Sequence, residues 1–262
     1  MIDNLDKNKI EIGEKCDISD TVIFSDHVKI GNNCKIGNNV ILRNCIIGDN
    51  VMIEDNVIIG YGTLTGHYSD KQELKNNESN LEINKFRITI GNNVLIRTGV
   101  TIYFDCVIND NCWINHNAII RENVKIFEDS SIGSNTICEN NVSIGKCCII
   151  QNNTMICSGT IIESFVFVGP GVTLTNNAPI GHLRDVKPII RGPKLRLGCA
   201  IGGGVTISPG IEIGEESIVG AGSVVTNNIH SKIIVSGNPA EKIKNVSIKG
   251  LIKKEIRQKY RE

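Results

Sequence analysis

Aromatic residues make up only 4% of this chain, and its 262 residues include one tryptophan and six prolines. So few rings suit a narrow core stacked from aliphatic side chains better than a wide globular interior. Charge of either sign is not in excess: 28 basic residues balance 28 acidic ones, which removes any general attraction to nucleic acid or to an anionic membrane. No apolar run reaches the length of a membrane span. Met1 to Lys15 alternates charges without an apolar stretch and so does not read as a signal peptide. Ten cysteines are present, but none in Cys-x-x-Cys spacing, so zinc and redox motifs are a poor fit and no metal is expected. Cysteines used in this way point to a reducing cytoplasm.

What the chain does have is a period of six. From Ile90 through Ile96, Ile102, Ile108 and onward to Val168 and Leu174, an apolar residue recurs at every sixth position, with Cys138 as a mild exception. Neither the helical period nor simple strand alternation predicts this. A fixed short period implies a stacked coil. Four residues after each anchor comes a small or β-branched residue, among them Val94, Ala118, Thr136 and Val166, and five cysteines share this position (Cys16, Cys34, Cys106, Cys112, Cys148). Between the two lie turn formers such as Gly-Asn-Asn, and asparagine tolerates the left-handed backbone of a tight corner. Each hexad thus reads as a short strand plus a corner. Three such sides give a triangular prism of about 18 residues per turn, rising about 4.8 Å each turn.

The register also runs from Ile12 to Leu42, slips by one residue, resumes at Ile47, Ile53 and Ile59, and returns at Ile201 to Val225. One elongated all-β domain over 1–246 is expected, a parallel β-helix with loop excursions at 61–89 and 175–200. A helix over 247–262, with Ile248, Ile252, Ile256 and Tyr260 on one stripe, is expected to cap the last turn. The first excursion is polar (His67, Asp70, Lys71, Lys85). The second is stiffened by Pro179, Pro188 and Pro193 and carries Arg184, Lys187, Arg191, Lys194 and Arg196. A basic loop on a neutral protein suggests a specific anion.

The stretch from Gly198 to Lys242, with Ile-Gly-Gly-Gly-Val-Thr-Ile, Val-Gly-Ala-Gly-Ser-Val-Val-Thr and Gly-Asn-Pro-Ala, resembles the hexapeptide-repeat, left-handed β-helix acyltransferases. The left hand comes from this resemblance. Within that family the chain most resembles the nucleotide-sugar amine N-acyltransferases. The resemblance therefore implies an acyl-CoA co-substrate such as acetyl-CoA and a nucleotide-linked 3- or 4-amino-deoxysugar acceptor. It also implies a homotrimer with active sites between subunits.

Positions 18 apart stack, so Thr98, His116, Ser134, Asn152 and Pro170 are expected along one corner. Ile-Asn-His-Asn-Ala around His116 resembles the family's catalytic histidine, implying a base or hydrogen-bond acceptor for the attacking amine. Gln151-Asn152-Asn153 resembles a motif near the acyl-CoA sulfur, which makes Asn152 the second catalytic candidate. Asn115, Asn117, Ser134, Gln151 and Asn153 are the substrate-binding candidates. Ser134 stands where some relatives place an acid, which leaves the 3-amino and 4-amino acceptors both open. Lys194 and Arg196 are expected to bind coenzyme A phosphates, and Gly202, Gly203, Ala221 and Gly222 to offer a side-chain-free track for pantetheine. By the same resemblance, Pro239 closes over the adenine end. O-acetyl transfer to a sugar or small-molecule hydroxyl is the alternative and would depend strictly on His116. A γ-type carbonic anhydrase is rejected because Arg121 stands where a second zinc histidine would be needed. A non-catalytic scaffold would need neither the basic loop nor the glycine track.

Overall fold

The computed structural model describes residues 10–62, 87–178, 189–252 and Ile256. Each hexad supplies a short rung, most often two residues long, and a corner. Trp113–Ile114, for example, pairs in parallel with Leu95–Ile96 below it and Ser131–Ile132 above it. The second residue of each such rung points inward: Ile96, Ile114, Ile132 and Ile150 are all buried. Each fully buried isoleucine contributes about 1.5–3 kcal/mol, so the column of anchors, not any single rung, stabilises the coil. A two-residue strand has no stability of its own, and neighbours above and below supply it.

Three faces result. The first is a sheet of 12 strands, beginning at Asp17–Ile18 and parallel until its last strand, Glu241–Asn245, which turns back antiparallel on Ile233–Ser236. The second and third faces merge into one sheet of 18 strands because two longer strands, Ile23–Ile30 and Ile41–Ile47, run through the corner between them. The one-residue slip after Leu42 lies there: Asn44, with φ 47°, turns the shortened corner and is itself buried. We call the corner after the first face the first corner, and the two that follow it the second and third.

Corner chemistry explains the asparagines. Asn93, Asn111, Asn117, Asn123, Asn135, Asn141 and Asn153 all have φ between 56° and 59°, a region that asparagine enters more easily than other side-chain-bearing residues. Several also stack as amide ladders, such as Asn93 Nδ2 donating to Asn111 Oδ1 at 3.1 Å. The small inner positions accept polar groups because the next turn's carbonyls satisfy them. Ser130 Oγ donates to Gly145 O at 2.8 Å, and Thr136 Oγ1 to Gln151 O at 3.0 Å. Cysteine fits the same slot. Burial pushes the Cys106, Cys138 and Cys148 thiols up to about 12, so they stay protonated and act as core fillers.

Both excursions leave from the second corner. The first departs after Ile58–Tyr61 and the coil resumes at Ile88–Ile90. Its stems are tied down by Tyr61 against Tyr103, with ring centroids 4.9 Å apart, and by Arg87, which pairs with Asp105 and lies over Phe104. The candidates between, His67 to Lys85, lie outside the described residues, as do Arg184 and Lys187 in the second excursion. That second excursion is shorter than the expected 175–200. It opens as an antiparallel pair, Asn177–Ala178 with Ile189–Ile190, and Lys194–Leu195 is already a rung paired with Ile161–Ile162 and Glu212–Ile213. Pro193 hid this return: it fills the small inner position, and its carbonyl still accepts from Ile161 N at 3.1 Å. The α-helix expected from Ser247 does not begin there. Ile248–Gly250 forms a single 3-10 turn, Leu251 is extended, and Ile252 N is held by Glu216 Oε1 at 2.8 Å. Residues 253–255 and 257–262 lie outside the described residues. On the first face it is the returning strand Glu241–Asn245 that covers the last parallel edge.

Stability should separate anchors from corners. Ile132→Ala is expected to cost about 2–5 kcal/mol through the cavity it leaves, whereas Asn135→Gly costs less than about 0.5 kcal/mol because glycine accepts the same φ. Urea midpoints followed by circular dichroism check this, and equal losses would contradict it.

Candidate active site

The first corner is held in register by one backbone hydrogen bond per turn. Asn117 N donates to Thr98 O at 3.0 Å, Asn135 N to His116 O at 2.9 Å, Asn153 N to Ser134 O at 2.9 Å and Gly171 N to Asn152 O at 3.0 Å. Beyond the second excursion the ladder continues, Gly204 N donating to Pro170 O at 2.8 Å and Gly222 N to Gly203 O at 2.9 Å. His116, Ser134, Asn152, Pro170, Gly203 and Ala221 therefore lie on one edge, and the polar column and glycine track are one feature.

Individual roles differ along it. Asn152 Oδ1 accepts from Ser134 N at 2.8 Å, so its carbonyl belongs to the coil. The same contact recurs where no site is expected, as in Asn32 N to Asp49 Oδ1 at 2.6 Å. Asn115 Nδ2 donates to Ile132 O at 2.8 Å. Asn117 and Asn153 take the left-handed corner conformation. Gln151 uses its backbone carbonyl to accept from Thr154 Oγ1 at 2.8 Å, and its side chain is half-buried beside the corner. His116 is half exposed.

Glu54 was not singled out from the sequence. Its Oε2 lies 4.0 Å from His116 Nδ1, two turns away on the same edge. That exceeds a hydrogen bond, though such contacts often tighten only when substrate is bound. Glu54 is fixed by Arg97 Nη1 at 2.7 Å and by Thr98 N and Oγ1 at 3.1 and 3.2 Å. Burial raises its pKa, but the hydrogen bonds from Thr98 and Arg97 outweigh this and hold it below the ordinary value. A carboxylate fixed there faces the imidazole edge across two turns of the corner. One signal did exist in the sequence: Glu54 is an acid directly after an anchor, Ile53. The first excursion sets it 43 residues from Arg97 and conceals the stacking.

The glycine track is open. At Gly204 and Gly222, φ is 67° and 71° and an added Cβ would meet nothing within 4 Å. At Gly202 a Cβ would instead lie 2.5 Å from Ala221 N, so only glycine allows that approach. Gly237 to Ala240 stacks on the last turn, with Val224 N donating to Gly237 O at 3.0 Å and Ala240 N to Val224 O at 2.8 Å, which places Pro239 at the end of the track. Lys194 and Arg196 are not brought to this edge. Lys194 lies on the third face and Arg196 on the third corner, where its guanidinium donates to Glu212 and Glu163, both at 2.8 Å. These hydrogen bonds keep Arg196 protonated and its charge balanced. Among the described residues no group of His, Cys, Asp and Glu side chains is placed to hold a metal ion.

No family model matches the chain. Over 94% of its length it resembles the UDP-N-acetylglucosamine acyltransferase of Arabidopsis, covering 76% of that chain with a TM-score of 0.51 at 12% identity. The fold is the left-handed β-helix of these acyltransferases. Local sequence similarity adds two relatives. The chain is 42% identical over 59 residues to the serine acetyltransferase of Buchnera aphidicola, and 40% identical over 47 residues to the galactoside O-acetyltransferase of Escherichia coli. These matches cover 22% and 18% of this chain, and 22% and 23% of the relatives. The chain thus spans about a quarter of the length of the curated relatives it matches. On this left-handed β-helix, the first corner is the edge that combines an exposed histidine, a carboxylate and a glycine track.

Glu54 also bears on stability through pH. Its depressed folded-state pKa means its contribution is complete above the ordinary 4.5 and is lost as pH falls through the lower folded value. The difference in urea midpoint between wild type and Glu54→Gln should be constant at neutral pH and vanish in acid. A difference that grew on acidification would contradict the assignment.

Proposed function

We propose that this protein transfers an acyl group from an acyl-CoA to the amine of a sugar-class acceptor at His116. The observation that carries this reading is the continuity of the first corner from Glu54 and His116 to the glycine track. Four rungs separate His116 from Gly203, about 19 Å by ladder spacing, comparable to an extended pantetheine arm. The thioester would lie near Asn152 and His116, the two amides of pantetheine would bond the exposed backbone of the track, and the adenine end would lie by Pro239. A nucleotide-linked 3- or 4-amino-deoxysugar is the acceptor that the sequence resemblance supports.

In the reaction the acceptor nitrogen attacks the thioester carbonyl, the C–S bond of the tetrahedral intermediate breaks, and the acyl group leaves on nitrogen. The proton lost by the amine passes to His116 and from there to the departing thiolate, giving free coenzyme A. Glu54 supports the imidazolium that forms between those steps. One specific observation favours a second reading, transfer to a hydroxyl. A hydroxyl needs a base more than a neutral amine does, and the Glu54–His116 pair is built as one.

Assembly follows from the same edge. The first corner is flanked by apolar surface on the first face, where Met52, Trp113, Ile149 and Phe167 are 42%, 55%, 46% and 39% exposed. We place the partner copies of a homotrimer against it, so that Arg191 and Lys194 of a neighbouring copy reach the coenzyme A phosphates. Within one chain Lys194 lies on the third face and Arg191 packs on Gly210 at the second corner, both away from this edge.

Two measurements test this reading. With acetyl-CoA and the best acceptor, His116→Ala should lower kcat about 100-fold or more without weakening acetyl-CoA binding, read as free-thiol release and by calorimetry. Unchanged turnover would overturn the site. Trp113→Asp combined with Phe167→Asp should convert a trimer to monomers in sedimentation, while a wild-type monomer would remove the shared-site reading.

A further inference from the structure

On the side of His116 away from the glycine track, the next turn of the first corner carries Arg97 and Thr98, directly below Asn115 and His116. The two turns are in contact, since Asn117 N donates to Thr98 O at 3.0 Å. The position that Arg97 occupies, straight after the anchor, is small or neutral on most turns of this edge, as in Gly37, Asn115, Gly133 and Gln151. Arg97 and Glu54 depart from that pattern. Glu54 faces His116, which leaves the purpose of the arginine open.

Its hydrogen bonds supply one. The Arg97 side chain is 39% exposed, and its Nη1 donates to Glu54 Oε1 at 2.7 Å. The edge formed by Nε and Nη2 has no partner among the described residues. Three other arginines there pair with carboxylates, and all three spend Nε on them. Arg87 and Arg121 give both Nε and Nη2 to Asp105 and Glu122, and Arg196 gives Nε to Glu212 and Nη1 to Glu163. Arg97 thus keeps a complete pair of parallel donors, the arrangement that takes a phosphate bidentately. Glu54 holds the guanidinium by its other end. The carboxylate oxygens are themselves engaged, Oε1 by Arg97 and Oε2 by Thr98 N and Oγ1 at 3.1 and 3.2 Å.

We infer that the Nε and Nη2 edge of Arg97 holds a phosphate of the acceptor, one turn from the nitrogen acylated at His116. The inference rests on the acyl-transfer reading above and deepens it, by naming the residue that selects an acceptor whose anomeric carbon bears phosphate. One turn is about 4.8 Å, and the guanidinium extends that reach by the length of its own side chain. The separation suits the two ends of a single pyranose ring, with the amine on carbon 3 or 4 and the phosphate on carbon 1. The phosphates of the donor lie the other way, beyond the glycine track. Arg97 therefore touches the acceptor without touching the reacting atoms, and a free amino sugar offers it nothing to bind.

The test uses the whole chain with acetyl-CoA and two acceptors, read as free-thiol release. One is a thymidine-diphosphate-linked 3- or 4-amino-deoxysugar, whichever turns over faster, and the other is the same amino sugar without its nucleotide. The quantity compared is the ratio of kcat/KM between them, in which a disturbance of Glu54 or His116 cancels. Wild type should favour the linked sugar about 100-fold or more, and less so as salt is raised. Arg97→Lys keeps a cation facing Glu54 but loses the paired donors. It should lower the ratio about tenfold, chiefly through KM for the linked sugar, and Arg97→Ala should lower it further. The Kd for acetyl-CoA by calorimetry should be the same in all three proteins, which separates an acceptor phosphate from one belonging to coenzyme A. A wild type indifferent to the nucleotide, a ratio unmoved in Arg97→Lys, or a weakened Kd for acetyl-CoA in the variants would overturn the assignment of Arg97. Turnover of either sugar alongside such a result leaves the acyl-transfer reading standing, whereas a wild type that neither binds acetyl-CoA nor acylates either sugar removes both.

Discussion

Parallel backbone pairing between residues one turn apart is the constraint from which the rest follows. It forces every corner residue to lie directly over its counterpart, so a side chain's neighbours are set by counting rather than by proximity in sequence. Buried anchors such as Ile114 and Ile132 hold the turns in contact, and the hydrogen bonds between Asn135 N and His116 O and between Asn153 N and Ser134 O fix their register. A coil built this way is stiff along its edges, which is what a site spanning several turns requires.

The same stacking limits what can be called functional. Many of the polar residues at the corners are there to turn the chain or to satisfy the turn below. Asn117 and Asn153 adopt a left-handed conformation, and Asn152 lends its side-chain carbonyl to Ser134 N, as Asp49 does for Asn32. His116 has no such structural duty, and Glu54 beside it is held by Arg97 and Thr98 rather than by a repeated corner contact. Departure from the repeat, more than polarity, marks the chemistry.

Much of this was legible in the sequence because the period of six is written in isoleucine. The three-sided coil, the inward cysteines and the alignment of His116, Ser134 and Asn152 all follow from it. Three things were not legible. Glu54 was displaced from its stacking partners by an insertion, so counting in eighteens failed across the gap. The rung at Leu195 was obscured because proline stood where valine or alanine is usual. The start expected for the C-terminal helix at Ser247 rested on an apolar stripe alone, and there the chain makes a single tight turn with Ile252 N bound to Glu216, while Ile256 is helical. Periodicity reports the ladder well, and it reports poorly whatever interrupts the ladder.

The account's central claim is that donor and acceptor meet on the first corner at His116, the donor running along the glycines. A crystal structure of the protein with acetyl-CoA tests this most directly. The account predicts the thioester carbonyl carbon beside His116, with the pantetheine amides bonded to the backbone at Gly203 and Gly222. Acetyl-CoA seated on the second or third corner, or running from His116 towards Thr98, would contradict it.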